Sequence, residues 1–460
     1  MKTALRHPAG LELQDVAPSD PWETIRRGRR LISRKVGLIR QIAENPYQSS
    51  DPAIFAAGAV LADLSRCVPG GQALTAAGAG ESAMMAVVSA IGEAVERHCA
   101  CVSDRDGMLL GTFRELRDDA VPPDRLRLFS REQVERFGPR GPVYFDESSP
   151  VRWVWAYSLT DRRSRLVPAS LVFLNHRPDA DEAHIGLSAS TGLAAGATRE
   201  EAILSGLLET VERDAFTLSW MHRRAGRLIE IDDEAGQAIV RERLWTDRPS
   251  VDVRVFDLTT DIAIPVVFLI MRRRIDFGPL VCLGAASKLS PPHAIRKAIL
   301  EGGQNFPLVR NLLAIDRTWE PAEDFSNLLT FDHNFLTYVK RPDFVAPAFR
   351  FFDDCADRVA LSRMPDRSTG RVRSDIDYAV AALRAAGHEV LVVDITTPEI
   401  ADIGFSVVRV IVPGLVPLHG THQRPYLGVR RLFDAPARLG WDRRGCSPDT
   451  GLNPYPHPFP

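Results

Sequence analysis

The sequence Glu93-Ala94-Val95-Glu96-Arg97 returns 116 positions later as Glu209-Thr210-Val211-Glu212-Arg213. Residues three apart share a helix face, so each copy sets two carboxylates side by side with an Arg next in sequence. Ser89, Glu93 and Glu96 form one polar stripe, spaced four and three apart, on a run otherwise rich in Ala, Val and Ile. Glu201, Glu209 and Glu212 form a second. At roughly 100° per residue, Glu201 and Glu212 differ by about 20° and Glu209 lies about 60° from Glu212. Lys297, Glu301 and Gln304 repeat the device on a third segment. A helix that is apolar over most of its circumference is buried, and a buried carboxylate pair needs a cation or donors. Two arrangements satisfy that need. Each stripe is neutralised by its own Arg or Lys, or the stripes converge on a divalent cation and the anionic ligand it carries.

Other chemistries fit less well. Di-iron sites add a Glu-x-x-His to two of their helices, whereas Glu93 and Glu209 are each followed at plus three by Glu. Nucleotide phosphates bridged to carboxylates through Mg²⁺ suit the acids and bases present. No Gly-x-x-x-x-Gly-Lys loop or kinase signature accompanies them, so the nucleotide site is an unusual one. Gly78-x-Gly80-x-x-Ala83 imitates a dinucleotide fingerprint, but no convincing strand precedes it. Small residues easing close backbone packing at a helix start are the simpler account.

The elements that must hold these stripes are a mixture. Two long helices are expected over Ser82–Cys101 and Thr198–Trp220, the second opened by a Thr198/Glu201 capping box. A third is expected from Pro291-Pro292 to about Asn305, and a further helix over Val372–Ala386. Strands are expected at Val151–Tyr157, Leu166–Leu174, Val251–Asp257, Ile264–Arg272, Leu280–Ala285, Glu389–Asp394 and Val407–Val412. Helices and strands alternate without a clean βαβ period, so the class is mixed α/β. Residues 1–28 read as an N-terminal extension, 29–445 as the body, and 446–460 as a Pro-rich tail.

With 45% apolar and 25% charged residues and a net charge of −2, the chain has the make-up of a globular protein and lacks the basic excess of a nucleic-acid binder. The Arg26–Arg30 run is too short to change that, and reads as a solvated face, a terminal arm or a phosphate or peptide contact. Six scattered cysteines without a Cys-x-x-Cys pair suggest reduced thiols. With no signal peptide and no apolar run of spanning length, the expected setting is the cytoplasm, away from any membrane.

The phrases Ser89–Arg97, Thr191–Gly196 with Glu200-Glu201-Ala202, Leu208–Ala215 and Ala294–Gln304 resemble the YcaO superfamily. More narrowly, they are similar to the cyclodehydratase (D-protein) component of thiazole/oxazole peptide pathways. The resemblance runs from about Ser33 to the end. It implies a YcaO-type fold in which mixed sheets and long helices surround a carboxylate-lined ATP site. It also implies an ATP- and Mg²⁺-dependent enzyme acting on a peptide backbone. Carried over by motif, Glu93, Glu96, Glu209 and Glu212 would be metal or phosphate-site carboxylates. Ser89, Glu201, Arg213, Lys297 and Glu301 would line the nucleotide site, and Lys35 would be a basic phosphate contact. Lys297 stands where the family more often has Arg, and Ala194 and Ala197 where some members carry polar residues.

The chain closes on Asn453-Pro-Tyr-Pro-His-Pro-Phe-Pro460, a stiff extended segment with little conformational entropy to lose on docking. By itself it reads as a disordered tail or a ligand for a Pro-binding module. The resemblance implies instead a tail that reaches the active site, with the Pro460 carboxylate acting as a base or orienting the reacting amide. The function so implied is azoline formation from Cys, Ser or Thr of a ribosomally made precursor peptide, as in bacteriocin biosynthesis. Thioamide or amidine formation, and a non-catalytic role in a maturation complex, are the alternatives. No room is seen ahead of residue 33 for a leader-binding domain. The expected partners are therefore the precursor, a separate E1-like leader-peptide-binding protein, a flavin dehydrogenase and a second copy of this chain.

Overall fold

The computed structural model describes residues 10–45, 48, 51–64, 74–186, 190–244, 251–275, 278–315, 317–441 and 451–460. Cys67, Cys446 and the first residues of both terminal segments lie outside them. The described strands form three sheets, and each long helix packs mainly against a different one.

The first sheet is an antiparallel meander of Ile39–Glu44, Phe55–Leu61 and Thr75–Gly80. Against it lies the first long helix, Ala83–Cys101, started by Ser82, whose side chain accepts from the Met85 amide. Neither of the last two strands was expected, because Ala and Gly carry little strand preference. Their small size serves close packing instead. A Cβ on Gly78 would sit 2.2 Å from the Ala90 nitrogen and 2.4 Å from the Ala86 oxygen, so only glycine lets this strand approach the helix backbone.

The second long helix, Arg199–His222, begins with both halves of the Thr198/Glu201 capping box. It is buried along most of its length, as befits a helix that is apolar nearly all round. It packs between the second sheet and the third. The second is antiparallel, in the order Leu109–Gly111, Val151–Ser158, Leu391–Asp394, Ser406–Ile411 and Leu193–Gly196, with Arg163–Pro168 also paired to Val151–Ser158. The strand expected at Leu166–Leu174 thus starts at Arg163 and stops at Pro168, where the chain turns into a 3₁₀ segment.

The third sheet runs Gly278–Ser287, Val266–Ile275, Asp252–Asp257, Arg227–Glu230 and Arg358–Ala360, the last pair parallel. It carries the third long helix, Pro291–Ile315. That helix continues ten residues beyond its expected end and takes Pro307 into its interior. Phe306 just before the proline and Val309 beyond it continue its buried apolar face, and this burial outweighs the local penalty. The Val372–Ala386 expectation is met by a helix over Val372–Ala385.

The N-terminal extension is integrated into the fold. Asp20 caps a helix over Pro21–Gly28, which packs on the first long helix. The Arg-rich run works as a clamp: Arg27 donates to the Ala197 and Gly404 carbonyls, and Arg30 to that of Asp402. The four described cysteines are free thiols. Among the described residues, no helix is long and apolar enough to cross a membrane.

One buried ionic junction ties the C-terminal part to the central helix. Asp214 is 0% exposed; it accepts from Arg431 Nε at 2.9 Å and from the Val416 amide, while Arg431 also reaches Asp261 at 2.6 Å. Arg431→Ala leaves a desolvated carboxylate without its partner, so it should lower unfolding free energy by about 3–5 kcal/mol. Denaturant unfolding checks this; a loss of only a few tenths of that amount refutes the assignment.

Candidate active site

The three acidic stripes meet in one open cleft of about 1690 Å³. The first long helix contributes Ser89, Glu93, Glu96 and Arg97, and the second contributes Glu201, Ser205, Glu209, Glu212 and Arg213. The repeated phrase therefore occupies equivalent positions on two facing helices. The third adds Lys297 and Glu301. Gln304 is not among the lining residues, nor is Lys35, which stands exposed on a turn with its amide against Ser33 Oγ. Ala194 and Ala197 do line the cleft.

The first arrangement weighed from sequence, neutralisation of each stripe by its own base, is partly realised. Arg97 lies 3.2 Å from Glu93, Lys297 3.2 Å from Glu301, and Arg213 3.3 Å from Glu212 and 3.7 Å from Glu209. Yet a hollow remains between the stripes. Six lining carboxylates (Glu93, Glu96, Glu201, Glu209, Glu212, Glu301) face four lining cations (Arg97, Arg213, Lys288, Lys297), so the wall keeps an acidic excess.

The carboxylates are not equivalent. Glu93 is tethered, accepting from the Ala77 amide at 3.0 Å as well as from Arg97. Glu201 is occupied by its own cap and by Ser19, which donates from its amide at 2.7 Å and its hydroxyl at 3.0 Å. Glu96 makes no hydrogen bond or ion pair among the described residues. Burial, with the charge of Glu209 behind it, pushes its carboxyl well above the usual range. Burial likewise raises Glu209. Glu212 is 7% exposed; its Oε2 accepts from the Ser287 amide at 3.2 Å, while its Oε1 has no hydrogen-bond partner. Burial, then the charges of Glu301 and Glu209, push it up to about 7 against the pull of Arg213 and Lys297.

These groups suit a metal–phosphate ligand. No cluster of three His, Cys, Asp or Glu able to hold a metal is present among the described residues. Mg²⁺ does not ask for one, since it takes one or two carboxylates and completes its shell with phosphate oxygens and water. Glu212 Oε1, held only by the Arg213 ion pair, the neighbouring Ser287 Oγ without a hydrogen-bond partner and the unengaged Glu96 could supply that incomplete set, and Lys288, Lys297 and Arg213 could supply counter-charge for phosphates.

A pH dependence follows. A carboxyl raised from 4.5 to about 7 keeps its proton in the folded chain while the unfolded chain has lost it. This contribution to stability is full below about 4.5 and lost as pH rises through about 7. A cation needs the ionised form, so affinity for Mg²⁺-nucleotide should rise by up to about tenfold per pH unit until about pH 7 and then level off. Titration calorimetry in buffers of different ionisation enthalpy should show proton release near pH 6.5; pH-independent binding contradicts the assignment.

The Pro-rich tail is built into the protein. Asn453 pairs with the Met221 and Trp220 carbonyls, Trp220 Nε1 donates to the Tyr455 carbonyl, and Tyr338 donates its hydroxyl to that of Pro456. His457 is buried, with Nε2 2.5 Å from the His419 carbonyl oxygen. Phe459 packs edge-on against Phe216, and its ring lies under the Arg213 guanidinium, centroid to Cζ 5.1 Å. The half-buried Pro460 follows directly.

Several lining or supporting groups carried no separable sequence signal. Lys288 lines the cleft without an ion pair among the described residues, its ammonium lowered by burial and by Lys297. Arg409, on Ser406–Ile411, is close enough to Glu209 and Glu96 for their charges to act on it. Ser19 was detectable in principle, because Ser19-Asp20-Pro21 carries the signature of a helix start.

A family model described as YcaO cyclodehydratase, ATP- and Mg²⁺-binding, matches residues 77–416. An uncharacterised protein of Methanothermobacter thermautotrophicus is 29% identical over 74% of this chain and 81% of its own. A heterocyclase solved in complex with substrate and cofactor superposes over 98% of this chain with a TM-score of 0.76 at 25% identity; this chain spans 59% of that one. YcaO from Methanopyrus kandleri, solved with AMPPCP and Mg²⁺, shares the fold with a TM-score of 0.61 at 23% identity, covering 86% of this chain and 91% of its own.

Proposed function

The chain belongs to the YcaO family of ATP- and Mg²⁺-dependent enzymes, and from that premise we propose that it is a peptide cyclodehydratase forming thiazolines or oxazolines. The observation carrying this reading is the junction of two features. Acidic stripes from three helices face one cleft, and the Pro-x-Pro tail ends against Arg213 on that cleft's wall.

In this reading the thiol or hydroxyl of a precursor Cys, Ser or Thr attacks the preceding carbonyl carbon and gives up its proton. The oxyanion takes the γ-phosphoryl group of ATP, releasing ADP. Phosphate then leaves with the former carbonyl oxygen, the amide nitrogen loses its proton, and the ring closes as C=N. Glu96 and Glu212 would hold Mg²⁺, which offsets charge on the triphosphate when bound, with Glu209 and the tethered Glu93 as the neighbouring carboxylates of the metal–phosphate site. Arg213, Lys288 and Lys297 would face the transferring phosphoryl group, and Ser89 and Glu301 would border the nucleotide. Glu201 would act by holding Ser19 at the cleft wall. The Pro460 carboxylate would orient the amide or accept its proton. Lys35, exposed on its turn, is left without a role. The proposed partners are the precursor peptide, an E1-like leader-binding protein and a flavin dehydrogenase, in a reducing, ATP-containing compartment.

The test incubates the chain, its partner protein and candidate precursors with ATP and Mg²⁺ and weighs the peptide. Each modified site should lose the mass of one water. An oxygen-for-sulfur gain that requires sulfide would assign thioamide formation instead, and ATP turnover with no peptide mass change would defeat the proposal.

A further inference from the structure

We propose that Phe459 is a positioning residue that holds the Arg213 guanidinium in place for nucleotide, so that tail docking and nucleotide binding are coupled. This rests on the nucleotide-site reading of the cleft and deepens it. Arg213 lies near Glu209 and Glu212 but donates no hydrogen bond among the described residues. Ion-pair attraction alone leaves a long side chain several orientations. Among the described residues, the aromatic face against the guanidinium is the Phe459 ring, 5.1 Å from Cζ, and such a face attracts a cation through its quadrupole. The ring is itself fixed. It is 5% exposed, meets Phe216 at 4.5 Å and 86°, and lies 6.1 Å from Phe268. Phe216 is on the same helix as Arg213, three residues on, so ring and guanidinium are referred to one rigid element. Upstream, the Pro456 carbonyl and the His457 ring anchor the tail, leaving Phe459 little freedom. Undocking the tail would remove the ring and free Arg213.

Mg²⁺-AMPPCP binding to the full chain is measured by calorimetry for the unsubstituted protein, Phe459→Leu and Phe459→Tyr. Leu keeps the apolar contact without the quadrupole; Tyr keeps both. Phe459→Leu should bind about three- to tenfold more weakly with an unchanged circular-dichroism spectrum, and Phe459→Tyr should match the unsubstituted chain. In an Arg213→Gln background, Phe459→Leu should have no further effect, which separates positioning from packing. Should Phe459→Leu lose its fold, Phe459→Met serves in its place. Leu binding as tightly as Phe, or Tyr as weakly as Leu, overturns the coupling while the nucleotide site stands. Absence of binding by the unsubstituted chain overturns the nucleotide-site reading and this inference together.

Discussion

Glu212→Gln should cut ATP turnover by at least about 100-fold while the chain stays folded. The amide retains the shape and can still accept from the Ser287 amide, so the contact to the third sheet survives. What disappears is the charge on a buried, cleft-lining carboxylate whose Oε1 has no hydrogen-bond partner and only the ion pair with Arg213. Because the fold opposes ionisation at this position, removing the charge should leave the ligand-free protein melting at the same or a higher temperature at pH 8, a common trade between stability and activity. A phosphate-release assay beside a thermal melt checks both halves. Near-normal turnover, or loss of turnover only through unfolding, would remove Glu212 from the site.

Deleting Pro460 alone should abolish peptide modification, by about 100-fold or more, while Mg²⁺-AMPPCP still binds. Deletion shifts the terminal carboxylate by one residue, about 3.3–3.6 Å along an extended chain, and misplacement by about 1 Å is enough to cost about 100-fold when a reaction depends on orientation. The anchors at Asn453, Pro456, His457 and Phe459 are untouched, so the fold and Arg213 should hold. Mass spectrometry of the precursor beside nucleotide calorimetry reads the two effects separately. Full modification by the shortened chain would refute a role for the terminal carboxylate.

The sequence exposed the site more readily than the scaffold, for physical reasons. Spacing of three and four on a helix is a geometric constraint, and the Ser82 and Thr198 caps fixed where two helices begin; the faces of Glu93, Glu96, Glu209 and Glu212 followed. That the faces meet in one cleft depends on sheet-to-helix packing, which turns on features such as the Gly78 contact with Ala86 and Ala90. Strands Phe55–Leu61 and Thr75–Gly80 escaped because Ala and Gly gain their strand state from tertiary pairing. The third helix outran its expected end because buried Phe306 and Val309 overrode Pro307. Lys288 and Arg409 were illegible because an isolated cation at a strand end or within a strand has no period to betray it. Ser19 was lost to a bland reading of the terminus, although Asp20 and Pro21 marked the helix that brings it to Glu201.

The most direct measurement is a crystal structure of this chain with Mg²⁺ and AMPPCP. The account predicts the triphosphate between the Ala83–Cys101 and Arg199–His222 helices, with metal at carboxylates drawn from both copies of the repeated phrase and Arg213 turned toward phosphate above Phe459. Nucleotide bound elsewhere, or a cleft still closed by its internal ion pairs under saturating ligand, would contradict it.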